Sequence, residues 1–105
     1  MNKVALITAI TASAAALLAG PAAASQELAQ RKSCLACHAI AQKLVGPSYK
    51  EVAAKYAGQQ DAAAVLAAKI QKGGSGVWGQ VPMPANPQVS ADEAKQLAAW
   101  VLSIK

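Results

Sequence analysis

The stretch Cys34-Leu35-Ala36-Cys37-His38 decides how this chain must fold. It contains both cysteines of the sequence and its only histidine, which directly follows the second cysteine. A disulfide between the two thiols would close a trivially small loop. A thioredoxin-like pair should follow a strand of a βαβ unit, and the sequence has no alternating strand pattern. A four-ligand zinc site needs further Cys or His residues, which the sequence does not contain.

The spacing C-x-x-C-H is that of covalent attachment of a c-type haem. Two thiols separated by two residues reach the two vinyl groups on one edge of a porphyrin. The histidine that follows them then lies beneath the iron as an axial ligand. We therefore predict that Cys34 and Cys37 bind one haem c covalently and that His38 is a ligand of its iron.

Met83 is the candidate for the second axial ligand, because thioether sulfur stabilises ferrous haem iron. It is the only methionine besides Met1, and it lies between Pro82 and Pro84 in a long loop of residues 73–89. The flanking prolines restrict the backbone and would hold the sulfur rigidly. Two alternatives stay open: Met83 fills a gap in the core, or it leaves the iron open, as in a haem enzyme or gas sensor.

The rest of the sequence predicts an all-α domain with about four helices. Two S-x-x-E capping boxes predict helix starts, one at Ser48 and one at Ser90. The Gly73-Gly74 pair predicts the end of the third helix. The last helix has apolar residues at helical spacing, and Ser25 and Asp61 are the expected N-caps of the first and third helices.

The N-terminus predicts a cleaved secretory signal peptide over residues 1–24 and one domain over residues 25–105. Lys3 precedes an apolar run over 4–18, and Ala22-Ala23-Ala24 supplies the small residues of a cleavage site. The alternative is an uncleaved anchor, but the run is shorter than the roughly 20 residues that span a bilayer. Such a signal peptide would direct the protein to the periplasm, and its cleavage would lower the net charge from +5 to +4, through loss of Lys3.

The remaining 81 residues are rich in alanine and contain no phenylalanine, so little large apolar volume is available for a core. Small domains compensate with disulfides, a metal or a cofactor, and a bound group is the better candidate here. The lysines are scattered and no aromatic residues are interleaved with them. This pattern favours an acidic protein partner over nucleic acid.

Four strings together resemble the short bacterial class I cytochromes c of the c-551 type, over essentially all of residues 26–105. They are C-L-A-C-H-A-I, K-L-V-G-P-S-Y-K-E-V-A-A-K-Y, G-V-W-G-Q-V-P-M-P-A-N and W-V-L-S-I-K. The resemblance implies a small fold of about four helices wrapped around one covalently bound haem. It also implies axial ligation by His38 and Met83, and a closed iron of this kind argues against an enzyme.

The resemblance further implies roles for four residues around the haem. The Pro47 carbonyl would accept a hydrogen bond from His38, Asn86 would donate to the Met83 sulfur, and Trp78 would hydrogen-bond a haem propionate. Lys69 stands where the family often has a propionate-binding arginine, and it supplies charge without a planar two-pronged donor.

The function that the resemblance implies is that of a periplasmic monomer that carries single electrons, with no membrane span after signal cleavage. The implied donor is a quinol-oxidising complex or another cytochrome. The implied acceptor is a nitrite reductase or a terminal oxidase.

Overall fold

The computed structural model describes residues 21–105 together with Ala5, so most of the predicted signal peptide lies outside the described residues. Within them, no helix has both the length and the apolar character needed to cross a bilayer. The described chain is all-α, as predicted. Its elements are α1 (Pro21–Arg31), a 3-10 turn (Cys34–Ala36), α2 (Tyr49–Tyr56), α3 (Ala62–Lys72) and α4 (Ala91–Ser103).

The predicted N-cap of the first helix is wrong. The described helix spans Pro21–Arg31, and Ser25 lies inside it as a buried residue. Alanine is the strongest helix former. The run Ala22-Ala23-Ala24 therefore continues the helix upstream of the expected cap.

Both predicted capping boxes are present. The Ser48 hydroxyl accepts from the backbone N–H of Glu51, and the Glu51 carboxylate accepts from the Ser48 N–H, each at 3.1 Å. Ser90 and Glu93 make the same reciprocal pair at the start of α4, at 3.1 and 3.0 Å. Each box satisfies two backbone donors that a helix start otherwise leaves unpaired.

The two ends of α3 differ in how closely they follow the sequence signal. Asp61 is the N-cap residue by position, but its carboxylate makes no capping hydrogen bond and accepts from the Gln59 amide at 2.9 Å instead. The C-terminal end is as predicted: Gly73 stops the helix with a φ of 69°, a conformation that glycine adopts without a Cβ clash.

Helix α4 is the centre of the core, because it packs against each of the other three helices. Trp100 on α4 is buried and makes an edge-to-face contact with Tyr49 of α2, with ring centroids 5.3 Å apart. Leu97 and Val101 of α4 are buried in the same core.

Candidate haem site

One cavity of about 300 Å³ brings together seven of the eight residues singled out from the sequence. Its walls come from the C-x-x-C-H turn, the start of α2, the inner face of α3, the loop over residues 73–89 and α4. A volume of this size falls in the range of small-molecule and cofactor sites. The seven are Cys34, Cys37, His38, Pro47, Lys69, Trp78 and Met83; Asn86 does not line the cavity.

The His38 imidazole is held in one tautomer. Its Nδ1 lies 2.8 Å from the backbone carbonyl oxygen of Pro47. A carbonyl oxygen only accepts hydrogen bonds, so Nδ1 must carry the proton and donate it. The lone pair is then on Nε2, which is the form in which imidazole binds a metal.

The sequence analysis missed two residues that enclose this imidazole. Tyr49 stacks on the His38 ring, with centroids 5.1 Å apart and planes inclined by 18°. Gly46 also lies against the His38 ring, because a Cβ at this position would be 2.6 Å from the His38 Cε1 atom. Only glycine leaves room for the ring at that position. The available sequence signal was the G-P-S-Y string, which was interpreted only as a turn followed by a helix start.

The two cysteines are partly buried and are not joined in a disulfide. A turn positions them, because the N–H groups of Cys37 and His38 both donate to the Cys34 carbonyl, at 3.3 and 3.1 Å. Burial raises the pKa of the Cys34 thiol. Burial also raises the pKa of the Tyr49 phenol, and the neighbouring Cys34 raises it further.

Met83 is fixed through its backbone on the other side of the cavity. Its N–H donates to the Gly74 carbonyl at 2.8 Å, and the Gly74 N–H donates back to the Met83 carbonyl at 3.0 Å. A Cβ on Gly73 would collide with the Met83 carbonyl oxygen. The end of α3 therefore holds the loop in place, in addition to the prolines on either side of Met83.

The hydrogen bond from Asn86 to the Met83 sulfur that the resemblance implied stays a prediction. In this structure the Asn86 Nδ2 donates to the carbonyls of Ile70, at 2.8 Å, and Pro84, at 3.3 Å. Each of the two amide hydrogens therefore has a backbone acceptor in this structure. In this structure the side chain joins the end of α3 to the loop residue that follows Met83.

Trp78 and Lys69 lie where a polar edge of a bound group could reach them. Trp78 is 43 % exposed at the rim, and the ammonium of Lys55 lies 5.3 Å from its ring centroid. Lys69 projects from α3 towards Gly74. Propionate binding by Trp78 and Lys69 stays a prediction.

The donor chemistry of the cavity fits a haem and does not fit zinc. Two thiols, an imidazole with a free Nε2 and a thioether line one cavity. Residues 21–105 contain no group of three or more His, Cys, Asp or Glu side chains that could hold a metal ion by themselves. The residues present are too few for a four-ligand zinc site, and attachment of the two thiols to a porphyrin edge stays the prediction that they fit.

Comparison with known proteins identifies the family. The family model described as cytochrome c matches residues 22–105. Cytochrome c-552 of Nitrosomonas europaea is 53 % identical over 94 residues, which cover 90 % of this chain and 91 % of that protein. Cytochrome c-551 of Azotobacter vinelandii is 65 % identical over 80 residues, which cover 76 % of this chain and 96 % of that protein.

A solved structure is similar as well. The crystal structure of wild-type Nitrosomonas europaea cytochrome c552 superposes with a TM-score of 0.75 at 54 % identity, covering 76 % of this chain and 99 % of that one. The all-α fold, the cavity and the sequence relatives agree. The chain therefore belongs to the class I cytochromes c of the c-551 type, small electron carriers with one covalently bound haem c.

Proposed function

We propose that this protein carries single electrons in the periplasm, with Cys34 and Cys37 binding the haem and with His38 and Met83 as the axial iron ligands. The observation that carries the proposal is the position of these four side chains around one cavity. When bound, the haem iron supplies the ferrous–ferric couple, and the protein sets its potential.

Backbone hydrogen bonds hold both proposed axial ligands in position independently of the oxidation state. The Pro47 carbonyl holds the proton on Nδ1 of His38, so that Nε2 is ready to bind iron. The Gly74–Met83 backbone pair fixes the point from which the thioether extends. Rigid ligands reduce the structural change that accompanies a change of oxidation state, which is what an electron carrier requires.

Two strong axial ligands leave no coordination position for a substrate, so we propose a carrier rather than an enzyme. The signal-peptide pattern of residues 1–24 supports export to the periplasm as a chain that begins at Ser25. We expect the mature protein to be a monomer. Mass spectrometry of protein purified from the periplasm checks the cleavage site, since the expected mass lacks those 24 residues.

The proposed partners are redox proteins with acidic surfaces. Exposed lysines give the domain a positive charge that would steer such partners into brief encounters. A quinol-oxidising complex or another cytochrome is the proposed donor, and a nitrite reductase or terminal oxidase is the proposed acceptor. The proposal includes no nucleic acid. The exposed lysines are Lys43, Lys50, Lys55, Lys72, Lys95 and Lys105.

The test of Met83 ligation is CO binding to the reduced holoprotein at neutral pH. We expect the wild type to bind CO poorly, because the thioether occupies the iron, and Met83→Ala to bind it readily. Gln80→Ala is the matched control: it is an exposed residue of the same loop and does not line the cavity. A wild type that binds CO as readily as Met83→Ala would instead support the open-site alternative, a haem enzyme or gas sensor.

A further inference from the structure

A chain of hydrogen bonds outside the cavity connects the segment before the cysteines with the loop that carries Met83. Lys32 and Gln88 hold each other through two bonds that run in opposite directions. The Lys32 ammonium donates to the Gln88 carbonyl at 2.9 Å, and the Gln88 amide donates to the Lys32 carbonyl at 3.4 Å. Lys32 lies two residues before Cys34, and it also pairs with Glu93 at 3.4 Å.

Gln88 uses its second amide hydrogen on Asn86. Its Nε2 donates to the Asn86 Oδ1 at 3.1 Å. The Asn86 amide in turn donates to the carbonyls of Ile70 and Pro84. Rotating the Asn86 amide by half a turn would place its oxygen against two carbonyl oxygens and its NH₂ against the Gln88 NH₂, so three favourable contacts would become unfavourable.

We propose that Gln88 is a positioning residue for the Met83 ligand: it locks the orientation of the Asn86 amide, which holds Pro84 and thereby Met83 in place. The inference rests on the proposed function, in which Met83 is an axial ligand. Gln88 is exposed and does not line the cavity, so it acts through Asn86 and Lys32. The network joins three segments: Lys32 follows α1, Ile70 lies near the end of α3, and Asn86 and Gln88 lie in the loop.

The test measures how easily an added ligand displaces Met83 from ferric iron. Ferric holoprotein is titrated with imidazole, and loss of the far-red absorption band of thioether-ligated haem gives the apparent affinity. Gln88→Leu keeps the side-chain size and removes both donated hydrogen bonds. We expect imidazole to bind this variant about fivefold more tightly, which corresponds to the net loss of one typical hydrogen bond.

Gln59→Leu is the matched control. Gln59 is an exposed glutamine that also donates to a side chain two residues away, Asp61, but it lies between α2 and α3. We expect its imidazole affinity to equal that of the wild type. Thermal unfolding of both variants shows whether global stability accounts for the effect. A purely structural role of Gln88 would lower the melting temperature and leave imidazole affinity unchanged.

The outcomes separate this inference from the proposed function. A wild type without the far-red band overturns Met83 ligation itself, whatever Gln88 does. A wild type with the band, together with a Gln88→Leu affinity within twofold of it, overturns the positioning role alone. Hydrogen exchange at the Met83 amide is the second measurement, and we expect faster exchange in Gln88→Leu than in Gln59→Leu.

Discussion

Gly46 makes the space in which the His38 imidazole lies, and Gly46→Ala tests that arrangement directly. The added Cβ would stand 2.6 Å from Cε1 and 2.9 Å from Nδ1 of the ring. Unstrained carbon contacts are about 3.5–4.0 Å, so either the ring or the backbone must move by about 1 Å. A movement of that size disrupts the 2.8 Å hydrogen bond from Nδ1 to the Pro47 carbonyl.

The expected cost has two parts. Inserting a methyl group into a packed site costs about 1–3 kcal/mol. Losing the hydrogen bond to Pro47 adds about 0.5–1.5 kcal/mol. We therefore expect Gly46→Ala to lower the free energy of unfolding of the holoprotein by about 1.5–4.5 kcal/mol, and to change the absorption spectrum because the imidazole is displaced.

Guanidinium unfolding of the holoprotein measures this cost, with Gly58→Ala as the control. Gly58 has a φ of 77°, and a Cβ there would meet nothing within 4 Å. Its substitution therefore carries only the backbone cost of a left-handed residue, about 1–2 kcal/mol, and should leave the spectrum unchanged. If Gly46→Ala destabilises no more than Gly58→Ala and has a wild-type spectrum, the steric reasoning about His38 is refuted.

Three further predictions follow from single contacts. Ser90→Ala removes the α4 capping box and should destabilise the holoprotein by about 1 kcal/mol in urea unfolding; an unchanged midpoint would mean that the box contributes nothing. The hydrogen bond from the Ser90 N–H, and to a smaller extent Lys32, lowers the pKa of the Glu93 carboxyl. The ionised Glu93 therefore stabilises the fold at pH values above its unfolded-state pKa of 4.5, and this stabilisation is lost as the pH falls below that value. Glu93→Gln should therefore weaken the acid dependence of stability, and an identical pH profile would contradict this. Lys55→Gln removes the cation over Trp78 and should change its fluorescence, whereas Lys55→Arg should restore it; equal spectra for both variants would exclude the contact in solution.

Local signals predicted the helix starts and stops that depend on neighbouring residues. The boxes at Ser48 and Ser90 and the stop at Gly73 all form as expected, because each needs contacts only within one turn. The expected N-cap of α1 at Ser25 was wrong, because three alanines of high helix propensity precede it and are helical. The two cysteines, His38 and Met83 were identifiable because motif and composition single them out.

The contacts that hold those residues were harder to predict, because they join segments distant in the sequence. The Gly74–Met83 pair and the bonds from Gln88 to Lys32 depend on how α1, α3 and the loop meet. The resemblance supplied the Pro47 contact with His38, which this structure contains. It did not supply the present role of Asn86, whose amide donates to Ile70 and Pro84.

The most direct test of the central claim is the absorption spectrum of the full-length chain, expressed in a host with periplasmic haem-attachment machinery. The account predicts a c-type spectrum whose haem resists acid–acetone extraction, with the weak far-red band of a thioether-ligated ferric iron. Covalent haem without that band would contradict Met83 ligation. A purified protein without covalent haem would contradict the assignment of Cys34, Cys37 and His38 as the haem-binding site.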